Sequence, residues 1–237
     1  MLGCCGSFAG PGGACSGYLV QGGGVALWLD AGPGTLANLQ QHIDLEAIDG
    51  IVLNHAHPDH WVDVLPYHNV VRYIRPRSGV PVWSPRKVLD LTHAVNGDLT
   101  NALDWRIIDA MSHVELGGLR LSFSRTDHGP ETLAVRVDDG ATSLAYTADT
   151  GNDWSLAELG AGIATALVEA TLPVEQEGQV QHLSGRQAGE QATGAGIGRL
   201  LLTHVQPGVD ADQQLADARS SFAGEVELAV TNHTYEI

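Results

Sequence analysis

"NHAHPDHWVDV", Asn54 to Val64, sets three histidines and two aspartates side by side in one short stretch. The residues before it, Gly50-Ile51-Val52-Leu53, form a continuous apolar run bounded by Gly and Asn. Such a run leaves no polar face for water and predicts a short strand buried on both sides. The cluster therefore begins where a strand ends. His55 and His57, one residue apart, project to the same side of an extended segment, and Pro58 bends the chain before Asp59 and His60. That geometry suits two metal ions, one at the His55/His57 pair and one at Asp59/His60. Imidazole nitrogens and carboxylate oxygens are ligands for zinc, with manganese or iron as alternatives.

One strand end cannot complete two coordination shells, so later strands must deliver more ligands. Leu119 to Ser124 alternates apolar with polar, as a half-buried strand does, and leads into Thr126-Asp127-His128. Leu144 to Thr147 predicts another strand, followed by Asp149. Arg199 to Thr203 predicts a third, followed by His204. Each candidate ligand lies at or just past the carboxyl end of a strand, where open α/β sheets place their chemistry.

These residues resemble the metallo-β-lactamase-fold hydrolases. His55-Ala56-His57-Pro58-Asp59-His60 matches the HxHxDH motif, and Asp30 in Leu29-Asp30-Ala31-Gly32 matches an aspartate that ends an early strand. The resemblance implies an α/β, four-layer αββα sandwich. It also implies that His55, His57 and His128 hold one divalent ion, Asp59, His60 and His204 the other, and that Asp149 bridges them, with Asp30 orienting the motif from behind. Diiron oxygen-reducing relatives are expected to carry Glu at the place of His57, and typical β-lactamases Cys at the place of Asp149; neither is found. Thr147-Ala148-Asp149-Thr150, Glu169-Ala170-Thr171 and His182-Leu183-Ser184 resemble the ribonuclease Z and small-phosphodiesterase branch, nearest to atypical class II cyclic-nucleotide phosphodiesterases of the actinobacterial type. That branch implies Asp59, Asp149 and His182 as catalytic residues, with Ser184, Glu169 and Thr171 supporting metal or substrate. His182 would protonate the leaving oxygen or polarise the phosphate.

Ser184-Gly185-Arg186-Gln187 has the form of a capping box, so a helix is expected from Ser184 through Ala195, with His182 just outside its positive end. Free backbone N–H groups there would help to hold a phosphate oxygen. A second helix is expected over Trp61 to Ile74. His68 lies on it, but it is not expected to reach the site, and His42, His93, His113 and His233 have no partner at ligand spacing.

With 237 residues, 43% of them hydrophobic, the chain can bury a large core without disulfides, and we read it as one domain of two similar halves, roughly 1–114 and 115–237. Met1-Leu2-Gly3 allows only a very short opening strand. Cys4, Cys5 and Cys15 are read as small core residues rather than a disulfide framework. No apolar run is long enough to span a bilayer and no basic-then-apolar leader is present, so a cytoplasmic protein without a membrane partner is expected; a homodimer is compatible with the sequence. The net charge is −16, with 28 acidic against 12 basic residues, and long nucleic acid would be repelled by that field. The basic cluster Arg72, Arg75, Arg77, Arg86 and Lys87 is read as a solvated face. His128 and Asp149 are only 21 positions apart, room for two strands and a turn near Asp138-Asp139-Gly140 but not for an RNA-gripping arm. The expected activity is hydrolysis of a small phosphodiester, a 3′,5′-cyclic nucleotide, to the 5′-monophosphate. A ribonuclease Z-like RNA-processing nuclease and a metal-dependent thioester or lactone hydrolase are the alternatives.

Overall fold

The computed structural model describes residues 1–99 and 101–237. Its first sheet contains β1 (Tyr18–Gly22), β2 (Val25–Leu29), β3 (Gly50–Val52), β4 (Val80–Ser84) and β5 (Leu103–Ile107), in that spatial order. Gly23 and Gly24, with φ of 56° and 80°, turn β1 back on β2 as the only antiparallel pair; the other pairs are parallel. The second sheet contains β6 (His113–Leu116), β7 (Leu119–Arg125), β8 (Leu133–Asp138), β9 (Ser143–Tyr146), β10 (Thr165–Glu169), β11 (Arg199–Thr203) and β12 (Glu225–Leu228). Its β6–β9 pairs are antiparallel and its β9–β12 pairs parallel.

Side-chain alternation along the strands builds the layers. In β2, Leu27 and Leu29 face the second sheet and meet Leu121, Val135, Leu167 and Leu201, while Trp28 between them faces the opposite way. Trp28, Ile51 and Val82 pack under α1 (Thr35–Leu39), α2 (Pro58–Trp61), α3 (Val64–Asn69) and α4 (Arg86–Asn96), through Leu39, Trp61, Val64 and Val88. Ala166, Val168, Leu200 and Leu202 pack under α5 (Gly185–Ala195) and α6 (Ala211–Ser221), through Ala188, Ala192 and Ala218. The result is the expected four-layer αββα sandwich. Strands buried on both faces are largely apolar, which is why β3 is a continuous apolar run and β10 and β11 have apolar centres, Ala166-Leu167-Val168 and Leu200-Leu201-Leu202.

The helix expected over Trp61–Ile74 is a correction. Helix α2 starts earlier, with Pro58 at its first turn, and the chain then divides into α3 and a π-helical stretch, Val70–Ile74. The break falls at Asp63, whose N–H donates to Ala31 O at 2.8 Å instead of into a helix, while its carboxylate accepts from Leu36 N at 2.8 Å. The opening residues form only isolated bridges, Gly3 to Gly17 and Cys5 to Val205. All three cysteines are free; Cys15 is buried, whereas Cys4 and Cys5 are half-buried. No helix among the described residues is long and apolar enough to cross a membrane. In the basic cluster, Arg75 pairs with Glu46 at 2.7 Å in an exposed ion pair.

Candidate metal centre

The carboxyl ends of β2, β3, β9, β10 and β11 open on one rim of the sandwich, and three residues there adopt left-handed backbone: Asp30 (φ 55°), Ala148 (φ 50°) and His204 (φ 58°). None is glycine, so each carries a local cost on the order of 1–3 kcal/mol that the surrounding structure must offset. Each turns the chain sharply as its strand ends, and so aims Asp30, Asp149 and His204 into the rim rather than along the sheet.

Two groups of nitrogen and oxygen atoms converge there. In the first, His57 Nδ1 and His128 Nε2 lie 3.2 Å apart, and His55 Nε2 and His128 Nε2 lie 3.3 and 3.7 Å from Asp149 Oδ2. In the second, His60 Nε2 and His204 Nε2 are 3.2 Å apart, Asp59 Oδ2 is 3.2 Å from His204 Nε2, and Asp149 Oδ1 is 3.2 and 3.3 Å from the two imidazoles. Asp149 thus turns one oxygen to each group. All seven residues are buried except His57, which is half-buried.

The backs of the rings determine which nitrogen faces the centre. His60 Nδ1 donates to Asp30 Oδ2 at 2.7 Å, and Asp30 also accepts from Tyr146 Oη at 2.9 Å and Asn54 N at 2.8 Å. His128 Nδ1 donates to the carbonyl of Gln181 at 2.9 Å. Thr171 Oγ1 donates to Glu169 Oε2 at 2.6 Å, so it accepts from His204 Nδ1 at 2.8 Å. In all three rings the Nδ1 proton is spoken for, and Nε2 presents its lone pair inward. Burial pushes the His55 pKa down to about 3, which keeps that ring neutral and able to ligate. Burial opposes charge on Asp149, yet His204, His60 and His55 around it hold its carboxyl well below the usual range.

This donor set fits divalent ions. His55 Nε2 and Asp149 Oδ1 are buried without a hydrogen-bond partner, and four imidazole nitrogens meet in pairs at a separation where two lone pairs repel. A cation in each group would satisfy these atoms at once; without one, a buried carboxylate oxygen is left at a cost of several kcal/mol.

His182 lies beside both groups. Its ring stacks on His204 with centroids 5.7 Å apart, and its Nδ1 contacts the Glu169 oxygens at 3.0 and 3.2 Å. Burial disfavours the imidazolium, but the Glu169 carboxylate outweighs it and raises the His182 pKa to about 9. Glu169, fully buried, also accepts from Thr150 N at 2.6 Å and Leu183 N at 3.2 Å.

The helix end near His182 differs from expectation. Ser184 does cap α5 in a complete capping box with Gln187. However, Leu183 N donates to Glu169, Gly185 N to Gln214 Oε1, and Ser184 N and Gln187 N are consumed by the box itself. These N–H groups are therefore not free to bind phosphate. The Ser184 hydroxyl is buried and donates to Glu177, away from the rim. His68 is buried against Asn96 at 3.0 Å, and His42 contacts Asn232 at 3.1 Å; neither belongs to a ligand group. Tyr146, Asp127 and Gln181 buttress the site without having stood out in the sequence. Tyr146 ends a strand as an ordinary apolar-run residue, and the other two are polar loop residues whose partners lie tens of positions away.

A family described as "Beta-lactamase superfamily domain" matches residues 26–205. The uncharacterized protein Rv1339 of Mycobacterium tuberculosis is 31% identical, over 100% of this chain and 91% of its own length. The probable metallo-hydrolase YhfI of Bacillus subtilis is 27% identical, over 100% of this chain and 98% of its own. The crystal structure of YhfI, a metallo-beta-lactamase fold protein, aligns with a TM-score of 0.89 at 26% identity, covering 97% of this chain and 95% of that one. Ribonuclease Z of Mycobacterium avium is 29% identical over 92% of this chain and 90% of its own. Matched by family and by fold over most of its length, the chain belongs to the β-lactamase superfamily, as a hydrolase of the metallo-β-lactamase fold.

Proposed function

We propose that this hydrolase cleaves a small phosphodiester, a 3′,5′-cyclic nucleotide, to the 5′-monophosphate. In this reading His55, His57 and His128 hold one divalent ion, Asp59, His60 and His204 a second, and Asp149 both, with zinc the metal best suited to the donors. The observation that carries the reading is the Glu169–His182 pair, a histidine placed beside both ligand groups and poised to carry a proton.

When bound, the ions supply Lewis acidity to the phosphate oxygens and activate water as the nucleophile. The chain's own residues do the rest. Asp30, Thr171 and the Gln181 carbonyl hold His60, His204 and His128 in the tautomer that presents Nε2. Glu169 holds His182 by Nδ1, leaving Nε2 to hand its proton to the ribose 3′ oxygen as the P–O3′ bond breaks and the new P–O bond to water oxygen forms. The 3′ oxygen departs as an alcohol. A substrate smaller than RNA is favoured by the net charge of −16 and by the short turn at 139–142 between β8 and β9, which carries no arm.

The test is a panel of cyclic nucleotides, an activated aryl diester, precursor transfer RNA, a thioester and a lactone, assayed with zinc and with manganese. Cyclic-nucleotide turnover is expected. Cleavage of the RNA alone would replace this reading with the nuclease one, and hydrolysis of thioesters or lactones alone would remove both. His182→Ala should retain its metals and slow the cyclic nucleotide by roughly 10²–10⁴-fold. On the aryl diester, whose phenolate leaves without a proton, the loss should be much smaller. Equal losses on the two substrates would show that His182 does not donate the proton.

A further inference from the structure

Gln181 and Asp127 lie outside the ligand set, yet together they join three segments that carry it. The Gln181 carbonyl accepts from His128 Nδ1 at 2.9 Å. Its own side chain holds that carbonyl in place: Nε2 donates to Asp127 Oδ1 at 2.8 Å, and Oε1 accepts from Gly129 N at 3.1 Å. The carboxamide therefore grips the residue before His128 and the residue after it. Asp127 reaches the next segment, because its carbonyl accepts from Gly151 N at 2.6 Å and its Oδ2 from Asp153 N at 3.3 Å, just past Asp149. A Cβ at Gly151 would lie 2.2 Å from Asp127 Oδ2, so any larger residue there would displace the Asp127 carboxylate from this position. Gln181 is itself peptide-bonded to His182.

We propose that Gln181 and Asp127 form a positioning clamp that fixes His128 toward the first metal and couples that metal to the placement of His182. The proposal rests on the reading of His128 as a ligand. Gln181 is exposed and Asp127 half-buried, so the contact between their side chains matters little to global stability, as surface polar contacts generally do. A partner that holds a ligand's far nitrogen, by contrast, typically changes metal affinity 10–100-fold. A clamp and a mere loop contact thus differ in what they move.

The experiment loads the full chain with zinc and challenges it with a chromophoric chelator, with thermal melting of the zinc-free protein alongside. Wild-type protein should surrender two ions. Gln181→Ala, which keeps the carbonyl but frees it to move, should bind one of them more weakly by up to roughly 10-fold, the low end of the range for loss of the partner itself, leave the other unchanged and melt as wild type does without zinc. Gln181→Glu should behave likewise, since a carboxylate cannot donate to Asp127. Adding Asp127→Asn to Gln181→Glu should restore the affinity, because the asparagine amide then donates to the glutamate. Unchanged binding in Gln181→Ala, equal weakening of both ions, or no restoration in the double variant would each overturn the clamp. A wild-type chain that binds no zinc would instead overturn the ligand reading on which it stands.

Discussion

At the scale of single residues, Asp149 and Asp30 hold the centre together in different ways. Asp149 offers one oxygen to each ligand group, so its loss removes a shared partner from both. Asp149→Ala should fold and bind at least one divalent ion fewer than wild type, counted by elemental analysis; a variant that still holds two would remove the bridging role. Asp30 is buried with three hydrogen bonds, one of them to His60. Tyr146→Phe deletes only the tyrosine hydroxyl and leaves a carboxylate oxygen still bonded to His60. The expected loss of metal affinity is therefore small, whereas Asp30→Asn should weaken zinc by roughly 10–100-fold. Chelator titration of the two variants compares them directly, and equal effects would show that the Asp30 carboxylate orients His60 only with the tyrosine hydroxyl in place.

At the scale of elements, α5 and α6 are held close by glycines that the sequence leaves looking like ordinary helix weaknesses. A Cβ at Gly189 would meet Ser221 Oγ at 2.2 Å and Ala218 O at 2.6 Å. Gly189→Ala, which should favour an isolated helix, is thus expected to destabilise this protein by roughly 1–3 kcal/mol through overpacking, as read from urea unfolding. A stabilised variant would show that the two helices part easily. The start of the same helix was legible: Ser184 and Gln187 form the box expected from the sequence, and Ser184→Ala should cost about 1 kcal/mol. The helix after Pro58 was not legible in the same detail. Its interruption at Asp63 depends on Ala31 O, just past β2, and Leu36 N, in α1, and no local propensity records them.

At the scale of the whole molecule, both halves contribute to the core between the sheets, where Leu27, Leu29 and Val52 meet Phe123, Val135 and Leu167. We propose that residues 1–237 unfold as one unit, and expect a single calorimetric transition whose midpoint falls when metal is removed by chelation. The boundary expected near 114 falls inside β6 of the second sheet, so residues 1–112, which carry the first sheet alone, should expose that apolar face and aggregate when expressed; a soluble, cooperatively folded fragment would contradict the single unit. The net charge of −16 also opposes compaction. Raising salt from a few millimolar to about 0.15 M, which shortens the screening length to about 8 Å, should raise the melting temperature. A melting temperature that is flat or falls with salt would show that self-repulsion is unimportant.

By itself the sequence determined individual strands and the candidate ligands that follow them, while the four-layer arrangement was implied only by the resemblance to a known fold. Strands buried on both faces are largely apolar and their ends stand out where polar residues follow, so β3 and β11, with His55 and His204 after them, were legible as patterns over a few positions. The turn between β8 and β9 and the cap of α5 were legible for the same reason, since their chemistry is local. Only the tertiary structure decided how Asp149 divides its two oxygens, which ring nitrogen of His60, His128 and His204 faces the centre, and that the N–H groups of Leu183, Ser184, Gly185 and Gln187 are already consumed. It also brought Tyr146 to Asp30 and Gln181 to Asp127, across 116 and 54 positions of chain. Hydrogen bonds of that separation depend on where two strands or loops come to rest, and no spacing rule in one dimension encodes them.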